Sequence, residues 1–230
     1  KMRLKPIANV LTEVEDLRHN GVHSIFFTDA NFIGHRRRAK ELLFALAAYG
    51  KKTEYTINFS TEVSLDVAED DELLTLFQQA NFTLLYIGIE SPNAESLKET
   101  KKNQNLRFPL LEQIHKVQSY GMIVWAGMIV GFDHDTTDIF VLQEAFFKTS
   151  RIPITSLGPL VALPTTPLFT RMQHEGRLLA EAHLDAVTDK NLPVLHNNGG
   201  FTNFRPKHMT LDELFTGYRW LMRKLYAYPA

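Results

Sequence analysis

Thr83-Leu-Leu-Tyr-Ile-Gly-Ile-Glu90-Ser91-Pro92 and Met122-Ile-Val-Trp-Ala-Gly-Met-Ile-Val-Gly131-Phe-Asp133 carry the same punctuation: an apolar run that closes on small residues and a carboxylate. Both runs are short and rich in β-branched and aromatic residues, which makes them strands. An apolar strand that ends this way, with a helix following, is how parallel α/β enzymes place a ligand site at the carboxyl end of the sheet. The pair therefore predicts a parallel α/β fold with a small cofactor held at the strand ends.

Working outward, Ile7, Val10, Leu11, Val14 and Leu17 recur at helical spacing, with Pro6 suited to a first turn and Gly21 to a stop, so residues 6–20 form a helix. Residues 22–28 read as a strand that stops at Asp29. Residues 36–49 form the next helix, with Leu42, Leu43, Leu46 and Ala47 inward and Gly50 as its end. A strand at 55–60 enters Thr61-Glu62, and 70–80 is helical again. Beyond the central strands, helices are expected at 93–100, 109–120 and 137–150, a fifth strand at 154–163 and a short helix at 168–176. Strands recurring every ~30 to 40 residues with helices between are the rhythm of βα units.

The expected fold class is α/β, a partial or open (β/α) barrel with parallel strands plus a C-terminal helical appendage. The division expected is 1–176 for the barrel and 177–230 for the appendage, which ends in an amphipathic helix at 211–226. The first helix has no strand ahead of it, although a helix in such a barrel packs beside the strand before it. A first strand is therefore expected to be missing. The edge left at 22–28 implies self-association or cover by another segment.

A hydrophobic content of 44% over 230 residues suffices for a full core and suits one α/β domain. The 25 Lys and Arg balance 26 Asp and Glu, so no basic field argues for nucleic acid. No stretch reaches the ~18 uninterrupted apolar residues of a membrane span, and Lys1-Met-Arg-Leu-Lys5 lacks a following signal-peptide core, so a cytoplasmic protein is expected. Cysteine is absent, which excludes a disulfide, a thiolate nucleophile or a thiolate metal site from this chain.

The strand ends collect Asp29 with Asn31, Glu62 with Ser64, Glu90 with Ser91, Gly127 with Gly131 and Asp133, and Pro164 with Thr165. In a parallel barrel such residues share one end. Each has a plainer use. Asp29 and Asn31 suit a turn or helix cap, Ser91 a cap and Glu90 the helix dipole near Asn93, the glycines a bulge, and Glu62 and Ser64 loop amides. Asp29, Glu62 and Glu90 could also bind a divalent cation in a barrel hydrolase or lyase, and a non-catalytic scaffold stays open as well. The nine histidines form no ligand motif. Arg36-Arg37-Arg38 faces either a phosphate-bearing partner or solvent.

The succession FFTDANFIG (26–34), NFSTEVS (58–64), YIGIESPNAESLKETKKNQN (86–105), AGMIVGFDHDTTDIF (126–140) and ALPTTPLFTRMQHEGRLL (162–179) resembles the catalytic barrel of radical S-adenosylmethionine (SAM) enzymes. Its group usually follows a cobalamin-binding domain. In that family three cysteines after the first strand ligate a [4Fe-4S] cluster, whose open iron chelates the amino acid part of SAM. The resemblance therefore implies a longer parent using SAM and the cluster, with cobalamin as a further cofactor. That parent is a radical enzyme, methyl transfer to a small-molecule substrate being the favoured outcome, and the cysteine-free chain alone is not expected to be active.

The resemblance also implies roles. Asp29 and Asn31 would hold the substrate ammonium, Glu90 and Ser91 the ribose hydroxyls, and Gly127 and Gly131 would let adenine approach the backbone. Glu62 and Ser64 would meet substrate or SAM. Arg107, with Lys101 and Lys102, would meet the SAM carboxylate or form a solvated charge cluster. The glutamate usual just past the glycine motif is out of register here, where His134 and Asp135 stand.

Overall fold

Strands and helices alternate along the residues that the computed structural model describes, which are 4–53, 56–99, 105, 109–179 and 201–227. Their order is α1 (Ile7–His19), β1 (Ser24–Phe27), α2 (Arg36–Gly50), β2 (Asn58–Val63), α3 (Asp71–Gln79), β3 (Phe82–Glu90), α4 (Ala94–Glu99), α5 (Leu110–Ser119), β4 (Ile123–Val130), α6 (Ile139–Ser150), β5 (Ile154–Pro159), α7 (Pro167–His174) and α8 (Leu211–Tyr226). The five strands lie in the sheet in the order of the sequence, β1-β2-β3-β4-β5. β1 pairs parallel with β2 from Ser24↔Asn58 to Phe27↔Thr61, and β2 pairs parallel with β3, with a register shift between Phe59 and Ser60. The fold is the open, parallel half-barrel expected, with α8 appended.

Contacts divide the chain into two compact units, Lys1–Gly88 with Phe108–Ala126 and Ile152–Ile154, and Ile89–Arg107 with Gly127–Arg151 and Thr155–Ala230. In the first unit the core is aromatic. Phe27, Phe32, Phe59, Phe77 and Phe82 pack ring against ring, from 5.0 Å between Phe77 and Phe82 to 5.8 Å between Phe27 and Phe82. Edge-on and tilted pairs of this kind add to the burial of their area. Leu43 and Leu46 of α2 and Leu73 and Leu74 of α3 are buried too, as the helical spacing requires. Asp70 caps α3 by accepting from the Leu73 N–H at 3.0 Å.

Two strands end three or more residues from where they are expected to. β2 runs to Val63 instead of ending at Ser60, with Phe59, Thr61 and Val63 buried and Ser60 and Glu62 between them half-buried. Glu62 therefore lies within the strand, and an unanticipated 3-10 turn, Leu65–Glu69, follows. β5 stops at Pro159 instead of continuing to 163. The cause lies in the second unit, where side chains replace a neighbouring strand. Thr202 donates to the Leu160 carbonyl at 2.7 Å, while the Asn203 amide accepts from the Ala162 N–H at 2.9 Å and donates to its carbonyl at 2.8 Å. Ala162, Met172 and Phe204 form a small buried cluster there, beside the antiparallel bridge of Leu178 to Phe204.

α6 packs against α8 in the same unit, and Gly217 sits where a Cβ would lie 2.0 Å from the Phe140 ring. Among the described residues no helix is long and apolar enough to cross a membrane.

Candidate cofactor site at the strand ends

In the first unit the residues after β1 and β2 are tied together. The Asn31 amide donates to Ser64 Oγ at 3.1 Å and accepts from the Ser64 N–H at 3.3 Å. Ser64 Oγ in turn donates to the Asp66 carboxylate, which also receives Arg36 at 2.6 Å. Asn31 is thus held from two sides. Phe32 N–H donates to the Glu62 carbonyl at 2.9 Å, which fixes the β1–α2 loop against β2. The carboxylates of Asp29, exposed, and Glu62, half-buried, make no side-chain hydrogen bond or ion pair among the described residues. Their oxygens remain available as acceptors.

The triple arginine is explained locally, since Arg36 pairs with Asp66 and Asp70, and Arg37 and Arg38 with Glu41. These partners, within α2 or just past β2, relieve the burden of cations at a helix start.

In the second unit the ends of β3 and β4 are braced. Glu90 closes β3 with φ 70°, and the Ser91 N–H donates to the Ile89 carbonyl at 3.0 Å, forming a three-residue turn around it. Ser91 is buried, and its hydroxyl accepts from the Asn93 N–H at 3.1 Å. Gly127 is buried within β4. Gly131 follows β4 at φ 93°, a conformation open to glycine at little cost. The two loops meet where Asn93 donates to the His134 carbonyl at 3.4 Å.

Asp135 organises the turn after β4. Its carboxylate accepts from the N–H groups of Gly131 at 2.9 Å and Phe132 at 3.1 Å and from Ser96 Oγ at 2.7 Å. Burial pushes its pKa up, against the pull of those three hydrogen bonds. Asp133 stands in an ionic cluster instead, at 2.7 Å from Arg177 and 3.2 Å from Arg171. Burial pushes its carboxyl up as well, but the Arg177 hydrogen bond and the charges of Arg177, Arg171 and Lys207 outweigh it and hold the pKa below the usual range. Glu99 completes the cluster by accepting from Arg171 at 2.7 Å and from the Asp133 N–H at 3.0 Å.

Pro164 and Thr165, expected at the end of β5, lie beyond it, because β5 stops at Pro159. Thr165 adopts φ 69°, and Thr166 caps α7 by accepting from the Phe169 N–H. Arg107, Lys101 and Lys102 lie outside the described residues.

The model of the radical SAM superfamily matches residues 1–141. This chain belongs to the radical SAM superfamily. A second model, a domain of unknown function (DUF4070), matches residues 166–230. The chain is 36% identical over 192 residues to hopanoid C-2 methylase of Rhodopseudomonas palustris, covering 83% of this chain and 36% of that protein. It is 38% identical over 183 residues to an uncharacterized methyltransferase of Synechocystis, covering 79% of this chain and 34% of that one. The chain thus spans about a third of the length of these curated relatives. Its fold is shared with the radical SAM methyltransferase TsrM of Kitasatospora setae, solved with cobalamin and a [4Fe-4S] cluster bound, at a TM-score of 0.63 and 17% identity over 74% of this chain and 34% of that one.

A radical SAM barrel implies two groups, and the residues present treat them differently. Without cysteine the chain offers no thiolate to an iron–sulfur cluster, and among the described residues no group of three or more His, Asp or Glu is placed to hold a metal ion. The cluster does not fit these 230 residues. Taken unit by unit, the first offers acceptor oxygens at Asp29 and Glu62 and the second a glycine turn after β4, groups of the kind that ammonium and hydroxyl donors and a flat ring require.

Sequence reasoning passed over Glu99, Ser96, Arg171 and Arg177. Ser96 and Glu99 lie within a six-residue helix whose pattern marks only Leu97 as inward. The arginines come from the segment after β5, whose periodicity is weak. Only the run of acids after Gly131 hinted that counter-charges were needed.

Proposed function

We propose that this chain is the SAM-holding barrel of a longer, cobalamin-dependent radical methyltransferase that acts on a small molecule. The observation that carries the reading is the pair of turns closing β3 and β4, with Glu90 at φ 70° and Gly131 at φ 93°. A non-glycine residue in the left-handed region costs of order 1 kcal/mol and persists only where its surroundings hold it, as happens at ligand sites. Both turns lie within the stretch matched to the superfamily, and both relatives named above are methyl-transferring by name.

In this reading Glu90 accepts the ribose hydroxyls, with Ser91 fixing the start of α4 behind it. Gly127 and Gly131 keep side chains away from the adenine. Asp29 accepts an ammonium donor, Asn31 is positioned beside it by Ser64, and Glu62 faces the ligand from β2. SAM, when bound, supplies the methyl group and the radical precursor of the family's chemistry. Among the described residues β1 is paired on one side only, and its other edge is where a second copy or another segment of the parent adds on.

Calorimetric titration of the chain with SAM tests the assignment through binding alone. Saturable binding is expected, weakened about ten-fold by Glu90→Ala, the weight of one charge-assisted hydrogen bond. No saturable binding up to millimolar SAM, or binding indifferent to Glu90→Ala, overturns it.

A further inference from the structure

In the second unit α8 turns Leu214, Tyr218 and Leu221 inward, and α6 buries Phe140, Phe146 and Phe147. Between the two helices, on their outward side, runs an open groove of about 370 Å³. Phe140, Val141, Thr216, Gly217 and Trp220 line it, with Asp212 at one end. The groove is open because Gly217 has no side chain. The Phe140 ring takes the place of a Cβ there, which leaves a hollow between Glu213 and Trp220, the residues one turn before and after it.

The hollow has apolar shoulders. Val141 is 59% exposed and Trp220 is half-buried. A lone apolar residue on a surface needs no account, but a valine and an indole flanking a hollow have the form of a contact surface.

The charges around it say what covers it. Asp212 and Arg223 are exposed, and neither makes a hydrogen bond or ion pair among the described residues. Their signs suit the helix dipole, acid in the first turn of α8 and base in the last. The dipole does not require that they share a face. Positions 212 and 223 lie three turns apart, about 16 Å along the axis, so both point outward with Thr216 between them. The surface that fits this face carries the reverse order, a base opposite Asp212 and an acid opposite Arg223. α8 itself, turned end for end, is such a surface. A two-fold axis near Gly217 and Tyr218 brings Asp212 of each copy to Arg223 of the other and sets each Trp220 against the other's hollow.

We propose that the α6–α8 face is a dimer interface between two copies of this chain, in which the two α8 helices run antiparallel, Trp220 of each copy fills the hollow at Gly217 of the other, and Asp212 pairs with Arg223 at both ends. Two helices a side cover less than a standard interface, so the dimer is weak, with a dissociation constant in the micromolar range.

Sedimentation equilibrium of the 230-residue chain, over a series from micromolar to millimolar, is expected to show a monomer–dimer equilibrium. Trp220→Ala should weaken it by at least about ten-fold, since each dimer loses two indole contacts. Should circular dichroism show that variant unfolded, Val141→Lys carries the test, because its position is exposed and the change spares the core.

Reversal of charge tests the pairing itself. Asp212→Arg leaves two bases on each α8 face and Arg223→Asp two acids, so each variant alone should dimerise roughly ten-fold more weakly. Mixed in equal amounts, the two should recover the affinity of the unsubstituted chain, because each copy then meets its opposite at both ends. A loss of helix stability cannot produce that recovery. A chain that is monomeric at every concentration overturns the proposal. So does association that Trp220→Ala and Val141→Lys leave unchanged, which would move the second copy to another surface such as the open side of β1, and so does a mixture that associates no better than its two components.

Discussion

Asp133 and Asp135, two residues apart, live in opposite regimes. Asp135 is fully buried and surrounded by neutral donors, so its folded pKa lies above its unfolded value. The folded state keeps the proton longer. Its contribution to stability is therefore complete below the unfolded pKa and is lost as pH rises through the folded one. Asp133, pulled down by arginine, does the reverse: its stabilisation is present above the unfolded pKa and is lost as pH falls through the depressed folded one. Asp135→Asn keeps an acceptor for the Gly131 and Phe132 N–H groups without a charge to desolvate, so neutral-pH stability should hold or rise. Asp135→Ala strands two buried N–H groups and should cost about 2 to 3 kcal/mol in urea unfolding. Equal effects of the two would refute this account of the turn. Arg177→Met leaves Asp133 with only part of its counter-charge, and should cost about 3 kcal/mol and move acid unfolding to higher pH. The carboxylates of this cluster were legible from the acids after Gly131. Their partners were not, because Glu99, Arg171 and Arg177 come together through folding and share no spacing.

Elements were more legible than residues where a local signal marks their ends. The helix expected at 211–226 from its amphipathic spacing is observed as Leu211–Tyr226, and Thr210 and Glu213 close its start with a capping box. β2 was misplaced because Thr61, Glu62 and Val63 look like a strand exit, whereas parallel pairing with β3 extends the strand over them. A local pattern cannot report a neighbour. Gly217 is a like case: within a helix it looks like a weak point, since glycine costs about 1 kcal/mol relative to alanine. Here it admits Phe140. Gly217→Ala should gain that propensity yet destabilise by a net of about 1 to 2 kcal/mol, because overpacking a core costs about 1 to 3 kcal/mol and a Cβ 2.0 Å from the Phe140 ring forces α6 or α8 to give way. Thermal unfolding of Gly217→Ala, alone and with Phe140→Leu, checks this. The second change should recover part of the loss, and a Gly217→Ala variant as stable as the parent chain would contradict the packing.

For the whole molecule, the sequential order of strands follows from its βα rhythm, and the sequence showed it. The division into units did not show, because three of its boundaries fall inside strands, in β3 between Gly88 and Ile89, in β4 between Ala126 and Gly127 and in β5 between Ile154 and Thr155, where composition does not change. Among the described residues the sheet order places β1 at an end, paired on one side only, while β3 is internal and its Leu85, Ile87 and Ile89 are fully buried. Local opening is easiest where few buried contacts and few shared hydrogen bonds hold the backbone. Hydrogen exchange read by mass spectrometry should therefore find peptides over Ser24–Phe27 exchanging well before those over Phe82–Glu90. If the free edge of β1 also takes a second copy, β1 protection should rise with protein concentration while β3 stays constant. Protection of β1 equal to that of β3 at every concentration would mean that its outer backbone groups are already satisfied within one chain, and the open edge would then have to be abandoned.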